Sequence, residues 1–111
     1  MAVLKEAEAQ ITRVKEGITR RHLHTEDLMM VVIDFNNGPW SEPDPVHQHV
    51  HEQTSYVAEG EIIFICEGEP DQYLKKGDMF SVPSGKLHAI QVLSSTARLV
   101  DSFNPIRRDF L

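Results

Sequence analysis

The chain contains 111 residues, of which 41% are hydrophobic and 25% are charged, and its formal net charge is -6. This length suits one domain, because each half of a two-domain chain would be too small to bury an adequate core. The apolar fraction excludes a disordered chain. The acidic balance, without any run of Lys or Arg, excludes nucleic-acid binding.

The cysteine content and the first residues bear on the cellular compartment. Cys66 is the only cysteine, so an internal disulfide is impossible and an oxidising compartment is not indicated. The opening residues, MAVLKEAEAQ, contain no basic region followed by an apolar stretch. No later stretch approaches the roughly 18 apolar residues that a membrane span requires. We therefore expect a cytoplasmic protein without membrane contact.

Short apolar runs, broken by Gly, Pro, Asn or Asp about every ten residues, predict an all-β protein. Residues 1–16 are interpreted as an N-terminal segment that forms a short helix, over residues 3–11, or an edge strand. Residues 17–111 are interpreted as a single domain that ends in a C-terminal tail. Strands are predicted at residues 18–22, as an edge strand, and at residues 28–35, 46–51, 55–59, 62–66, 72–74, 79–82, 87–93 and 97–103.

The predicted strands do not by themselves define one fold. Residues 28–35, LMMVVIDF, are nearly all apolar, which indicates a strand covered on both faces. His22 and His24, beside Arg20 and Arg21, are expected to face solvent. Many short strands with tight turns leave a β-sandwich, an open barrel and a jelly-roll barrel as alternatives.

Three histidines alternate in the segment at residues 46–51. His47, His49 and His51 would point to one face if the strand stays straight. Two of them could share a metal ion, and the remaining ligands would then come from Glu52, Gln53 or His88. The other interpretation is a surface strand whose imidazoles face solvent.

Two motifs around these histidines resemble those of the cupin family. The first reads HxHxxxQ, from His47 and His49 to Gln53, and ends at Gly60, where the family usually has HxHxxxE. To place Glu52 rather than Gln53 at the last position of this motif, the strand register would have to shift by one residue. That shift would turn the Glu52 side chain to the opposite face. The second motif matches at Gly77, Pro83, Gly85 and His88, whereas Val92 replaces the usual Asn.

The resemblance covers roughly residues 17–111 and implies a cupin jelly-roll barrel, also called a double-stranded β-helix. It implies one divalent metal ion held inside an open end by His47, His49, Gln53 and His88. His51 falls where the cupin chain turns, so it is assigned to the pocket or to the support of a ligand. Cupins commonly pair through a sheet edge, which implies a homodimer.

This ligand set has consequences for the chemistry of the ion. Three neutral imidazoles and a carboxamide oxygen bring no negative charge, so the metal remains electron-poor. Such an ion would act as a Lewis acid, and the donors suit Zn, Ni, Fe, Mn or Cu. The set is equally suited to binding without chemistry.

The end of the chain narrows the resemblance further. HEQxxYVxEGE, together with the terminal DxFxPxRxDFL, is similar to cupins of the KdgF type, which act in pectin and alginate degradation. That subgroup opens the ring of 4,5-unsaturated monouronates to give linear keto forms. The resemblance implies that Asp101 transfers a proton, that Phe103 packs against the sugar and that Arg107 pairs with its carboxylate. Trp40 is expected to line the pocket entrance, with core packing as the alternative.

Two other functions remain open. An iron or manganese oxygenase would use open coordination positions that face an apolar pocket. A non-catalytic cupin would bind or sense a small molecule. In each case the expected partner is a small molecule, and for the uronate function it is a sugar acid.

Overall fold

A computed structural model of the chain describes residues 2–111. Nine strands and two short 3-10 helices make up its regular structure. The helices are Glu6–Glu8 and Arg108–Phe110. The strands are β1 (Thr12–Lys15), β2 (Ile18–His24), β3 (Met29–Phe35), β4 (Glu52–Glu59), β5 (Glu61–Cys66), β6 (Gln72–Lys75), β7 (Met79–Val82), β8 (His88–Val92) and β9 (Ala97–Asn104).

The strands form two antiparallel sheets, and the all-β prediction is therefore confirmed. One sheet has six strands in the order β1-β2-β3-β9-β4-β7, and the other has three in the order β6-β5-β8. The chain crosses from the first sheet to the second at Gly60, which has φ +85. A Cβ at this position would collide with the carbonyl oxygen of Thr96, so the turn requires glycine.

The core fills the space between the two sheets. Val57 of β4 lies against Ile62 of β5 and Val92 of β8, and all three are fully buried. Burying each of these side chains stabilises the fold by roughly 1.5–3 kcal/mol. A second cluster, formed by Met29, Val31, Phe103 and Ile106, lies under the C-terminal segment. Alternation along β9 therefore gives one row of inward side chains that serves both the core and the site.

Three details of the sequence interpretation require correction. Residues 46–51 do not form a strand: apart from an isolated bridge at His47, they are irregular up to β4. Pro43 and Pro45 explain this, because proline cannot donate to a sheet ladder. The strand at residues 18–22 is not an edge strand, because β1 lies outside it. Burial in β3 alternates, so only one face of this strand is fully covered.

The N-terminal segment, for which a short helix or an edge strand was predicted, has one helical turn and a strand at the edge of the sheet. A single 3-10 turn, Glu6–Glu8, is followed by β1, which pairs with β2 in the six-stranded sheet. None of the helices in residues 2–111 has the length and apolar composition needed to cross a membrane.

Candidate metal centre

Three histidines from two separate segments of the chain meet at one end of the barrel. His47 and His88 exchange both backbone hydrogen bonds, each at 2.9 Å, which joins the irregular segment to the start of β8. The backbone N–H of Gly85 donates to the carbonyl oxygen of His49 at 2.8 Å. As a result, one nitrogen from each of His47, His49 and His88 lies within 4.8 Å of the others.

Hydrogen bonds to the backbone fix which ring nitrogens are free. Nδ1 of His49 lies 2.8 Å from the carbonyl oxygen of His51. Nδ1 of His88 lies 2.9 Å from the carbonyl oxygen of Lys86. Because a carbonyl oxygen only accepts, each Nδ1 carries the hydrogen, and in the neutral ring Nε2 keeps its lone pair. Nε2 of His88 is buried without any hydrogen-bond partner, which is the condition of a ligand aimed at an ion.

The surroundings of His47 and His88 favour the neutral form of both rings. Burial lowers the pKa of His88 to about 4, and the charges of His47, His49 and Arg107 act in the same direction. Burial also lowers the pKa of His47. Neutral imidazoles do not have to release a proton before they bind a metal near pH 7.

Gln53 supplies a fourth donor through Oε1, which lies 3.1 Å from Nε2 of His49. Both atoms present lone pairs when His49 is neutral, so they can serve as two ligands of the same ion. Gln53 is buried, whereas Glu52 is exposed, as the one-residue register argument predicts.

A buried chain of hydrogen bonds sets the orientation of the Gln53 amide. Its Nε2 donates to Oγ of Ser55 at 2.9 Å, and Ser55 donates to Oδ1 of Asp101 at 2.6 Å. The single hydroxyl hydrogen of Ser55 goes to Asp101, so Oγ of Ser55 can only accept from Gln53. The amide nitrogen of Gln53 must therefore face Ser55, and its Oε1 faces the histidines. The four side chains therefore fit a divalent transition-metal ion.

His47, Gln53 and His88 line a cavity of about 330 Å³. Asp101 lies in its wall with only 4% of its surface exposed. Burial raises the pKa of its carboxyl to about 6, although the Ser55 hydrogen bond and the Arg107 charge lower it. A carboxyl with such a pKa can both donate and accept a proton near neutrality. The apolar lining residues include Ile18, Ile33, Phe35, Phe80, Ile90 and Leu99.

The C-terminal segment closes one side of this cavity. Phe103 is buried, and its ring packs edge-on against His49 with 5.7 Å between centroids. Arg107 lies over the rings of Phe103 and Phe110, and its guanidinium forms two hydrogen bonds to Asp109, at 3.1 and 2.7 Å. The structure thus brings together Asp101, Phe103 and Arg107 around the histidine cluster.

Trp40 and His51 have different surroundings from the other candidates. Trp40 packs edge-on against Phe35, and its Nε1 donates to Asn37. The residues that line the described cavity do not include Trp40. The backbone of His51, rather than its ring, orients His49. Burial lowers the pKa of His51, and the Arg107 charge acts in the same direction.

Several cavity residues were absent from the sequence-based site. Lys15, Arg20 and Phe110 are among those that line the cavity with the predicted residues. Arg20 could have been recognised, because alternation along β2 places it on the same face as the buried Ile18. Phe110 belongs to the terminal DxFxPxRxDFL pattern, but its place in the cavity depends on how the tail folds back.

Comparisons with known proteins agree with this architecture. A family model described as "Cupin domain" (Cupin_2) matches residues 31–103. The pectin degradation protein KdgF of Dickeya dadantii is 37% identical over 98 residues, which cover 86% of each chain. The structure of KdgF from Halomonas sp. superposes with a TM-score of 0.88 and 33% identity, covering 100% of this chain and 99% of that one.

An RmlC-like cupin from Shewanella frigidimarina gives a TM-score of 0.86 at 34% identity, and the match covers 97% of this chain and 94% of that one. The predicted jelly-roll barrel is confirmed by these structural matches, and the histidine cluster lies within the matched family region. The chain belongs to the cupin family.

Proposed function

We propose that this protein is a metal-dependent enzyme that opens the ring of 4,5-unsaturated monouronates to give linear keto acids. The observation that carries the proposal is the contact of His49 Nε2 with Gln53 Oε1, from which hydrogen bonds run through the Gln53 amide and Ser55 to Asp101. This path joins the metal ligands to a buried carboxyl in one cavity. The similarity to two KdgF proteins, one of which is named for pectin degradation, supports the choice of substrate.

The cavity is suited to an anionic sugar. Phe103 offers an apolar ring against which the sugar would pack, and the charge of Arg107 would attract its carboxylate. The protein as a whole has a net charge of -6. The cavity lining nevertheless contains Lys15, Arg20 and Arg107, and these cations favour an acid as ligand. The volume of about 330 Å³ is within the range of small-molecule sites.

The reaction is an isomerisation that needs one group able to move protons. The bond between C1 and the ring oxygen breaks, the C1 hydroxyl loses its proton as the aldehyde forms, and the resulting enolate at C5 becomes a ketone when C4 is protonated. Asp101 accepts the hydroxyl proton and delivers a proton to C4, so that it ends in its starting state. Its pKa of about 6 suits both steps.

His47, His49, Gln53 and His88 would hold the metal. When bound, a divalent ion supplies Lewis acidity toward a substrate oxygen. The hydrogen bonds from the rings of His49 and His88 to backbone oxygens hold the ligands in place beforehand, which reduces the cost of organising the site.

The test is to mix metal-loaded protein with freshly produced unsaturated galacturonate or mannuronate and follow the loss of ultraviolet absorbance from the conjugated double bond. We expect a rate well above that of the spontaneous ring opening, with the keto acid as product. Asp101→Asn, which keeps the shape and the Ser55 hydrogen bond, is the matched control. Equal rates with and without protein, under every metal tried, would rule the function out.

Two further predictions accompany this function: a homodimer and a cytoplasmic location. Met30, Tyr56 and Met79 are exposed on the outer face of the six-stranded sheet, where a second copy could cover them. Light scattering after size exclusion is expected to give twice the mass of the 12.6 kDa chain. A monomer at micromolar concentration would contradict the dimer and leave the enzyme assignment untouched.

A further inference from the structure

Arg20 is a charged side chain on the inner face of a barrel strand. It lies on β2 two residues after the buried Ile18, and opposite Ile33 of β3. All three side chains line the same cavity as His47, His88 and Asp101. A guanidinium among apolar neighbours is costly unless something compensates its charge.

No group in the described chain provides that compensation. Nε of Arg20 is buried without a hydrogen-bond partner. None of the ion pairs formed among residues 2–111 includes Arg20. Its guanidinium carbon lies 3.9 Å from the centre of the Phe110 ring. Such a cation–π contact orients the guanidinium, but the N–H donors in the guanidinium plane stay free to bind a ligand.

The other cations around the cavity already have partners. Arg107 is held by two hydrogen bonds to Asp109. Lys15 lies 3.7 Å from the carboxylate of Asp44. Arg21, the next residue along β2, pairs with Asp34 on the outer face of the sheet. Among these cations, Arg20 is therefore the one to which an incoming anion would bind.

We propose that Arg20 binds the carboxylate of the substrate and makes the site selective for sugar acids over neutral sugars. Nε and one terminal nitrogen of a guanidinium can grip both oxygens of a carboxylate side-on, and Nε is the atom that lacks a partner here. Arg107 and Arg20 contact Phe110 at 4.2 and 3.9 Å, so a carboxylate bound by Arg20 would also lie in the field of Arg107. The proposal rests on the proposed function only for the identity of the acid.

Binding can be measured without turnover. Titration calorimetry with the metal-loaded protein would compare saturated galacturonate with galactose, its neutral counterpart. Arg20→Met removes the charge and keeps length and apolar contact, and Arg20→Lys keeps the charge without the fork. Arg21→Met, which deletes the same charge from the outer face of the same strand, is the matched control.

We expect Arg20→Met to weaken galacturonate binding by about tenfold or more, since a hydrogen bond to a charged group contributes that much. Arg20→Lys should recover part of the loss, and neither change should alter the affinity for galactose. Arg21→Met should bind galacturonate as tightly as wild type. On an unsaturated uronate, the Arg20→Met change should raise KM more than it lowers kcat.

The proposal is overturned if Arg20→Met binds galacturonate as tightly as wild type, or if its affinity for galactose falls by the same factor. It is also overturned if wild type does not prefer the acid. Failure of the ring-opening assay with an Arg20-dependent preference intact would refute the enzyme function alone. Turnover unaffected by Arg20→Met would refute the Arg20 proposal alone.

Discussion

The two sides of the cavity are organised by different means. On the histidine side, the rings of His49 and His88 and the amide of Gln53 are each oriented by hydrogen bonds from within the protein. On the arginine side, aromatic stacking on Phe110 holds Arg20, whose Nε lacks a partner. The first side is ready for an ion before it arrives, whereas the second is completed by its ligand.

This difference follows from what each side must bind. A metal ion needs lone pairs at fixed directions, so the cost of orienting the donors is best met during folding. A substrate must bind and then leave. A cation that is stacked but not hydrogen-bonded forms its full set of hydrogen bonds only in the complex. The substitutions below separate the two arrangements, in order of decreasing effect.

The largest effect is expected on the histidine side. His88→Ala removes a ligand whose Nε2 is buried and aimed at the cluster. Metal affinity should fall by more than about 100-fold, which exceeds the loss of about 10–100-fold typical of outer partners. Elemental analysis after dialysis would measure it, with His24→Ala, an exposed histidine outside the cluster, as the control. Unchanged metal content in His88→Ala would contradict the site.

Asp101→Asn should lower turnover by about 10²–10⁴-fold, because an amide cannot move protons as the carboxyl does. Metal content should not change, because Asn can still accept the hydrogen bond from Ser55. Initial rates and metal analysis on the same preparation would test this separation. A variant with the rate of wild type would remove Asp101 from the mechanism.

Ser55→Ala breaks the link between the metal ligand and the acid. Gln53 would lose the partner that fixes its amide, so metal affinity should fall by about 10–100-fold. The hydrogen bond from Ser55 lowers the pKa of Asp101, so its loss should raise that pKa above about 6. The acid limb of the kcat/KM profile should therefore shift to higher pH. An unshifted limb would show that Asp101 does not control it.

Asp101 should also make stability depend on pH in the metal-free protein. Its folded pKa of about 6 exceeds the unfolded value of 3.8, so the folded state binds the proton more tightly. Its contribution to stability is thus present below pH 3.8 and is lost as the pH rises through about 6. Asp101→Asn should be more stable than wild type at pH 7, by on the order of 2–3 kcal/mol, and equally stable near pH 3.5. Urea unfolding at both pH values would measure this difference.

The smallest effect is expected at the ring shared by the arginines. Phe110→Ala removes the surface on which Arg20 and Arg107 stack. At about 0.5–2 kcal/mol for each cation–π contact, KM should rise by roughly 3–30-fold, with the metal retained. Phe110→Tyr, which keeps the ring, is the control. If Phe110→Ala changed the metal content and not KM, the histidine side and the arginine side of the cavity would not be independent.

Much of the fold was accessible from the sequence, because strand and turn signals are local. The strand predicted at residues 79–82 coincides with Met79–Val82, whereas β5, β6 and β9 differ from the prediction by one residue at one end and β8 by one residue at each end. The segment at residues 46–51 was not predictable in this way. Its histidines alternate as in a strand, but the neighbouring prolines and the single bridge to His88 decide its path.

The sequence by itself determined the family and the donor types, because HxHxxxQ and the later His88 stand at the spacing of the cupin motifs. Tertiary structure decided which atoms face each other. The orientation of the Gln53 amide depends on Ser55 and Asp101, and Asp101 is 46 residues away from Ser55. The inward position of Arg20 beside Phe110 depends on how the C-terminal segment folds back across β2. Hydrogen bonds and stacking between distant segments exist only once the barrel has closed, and no local pattern encodes them.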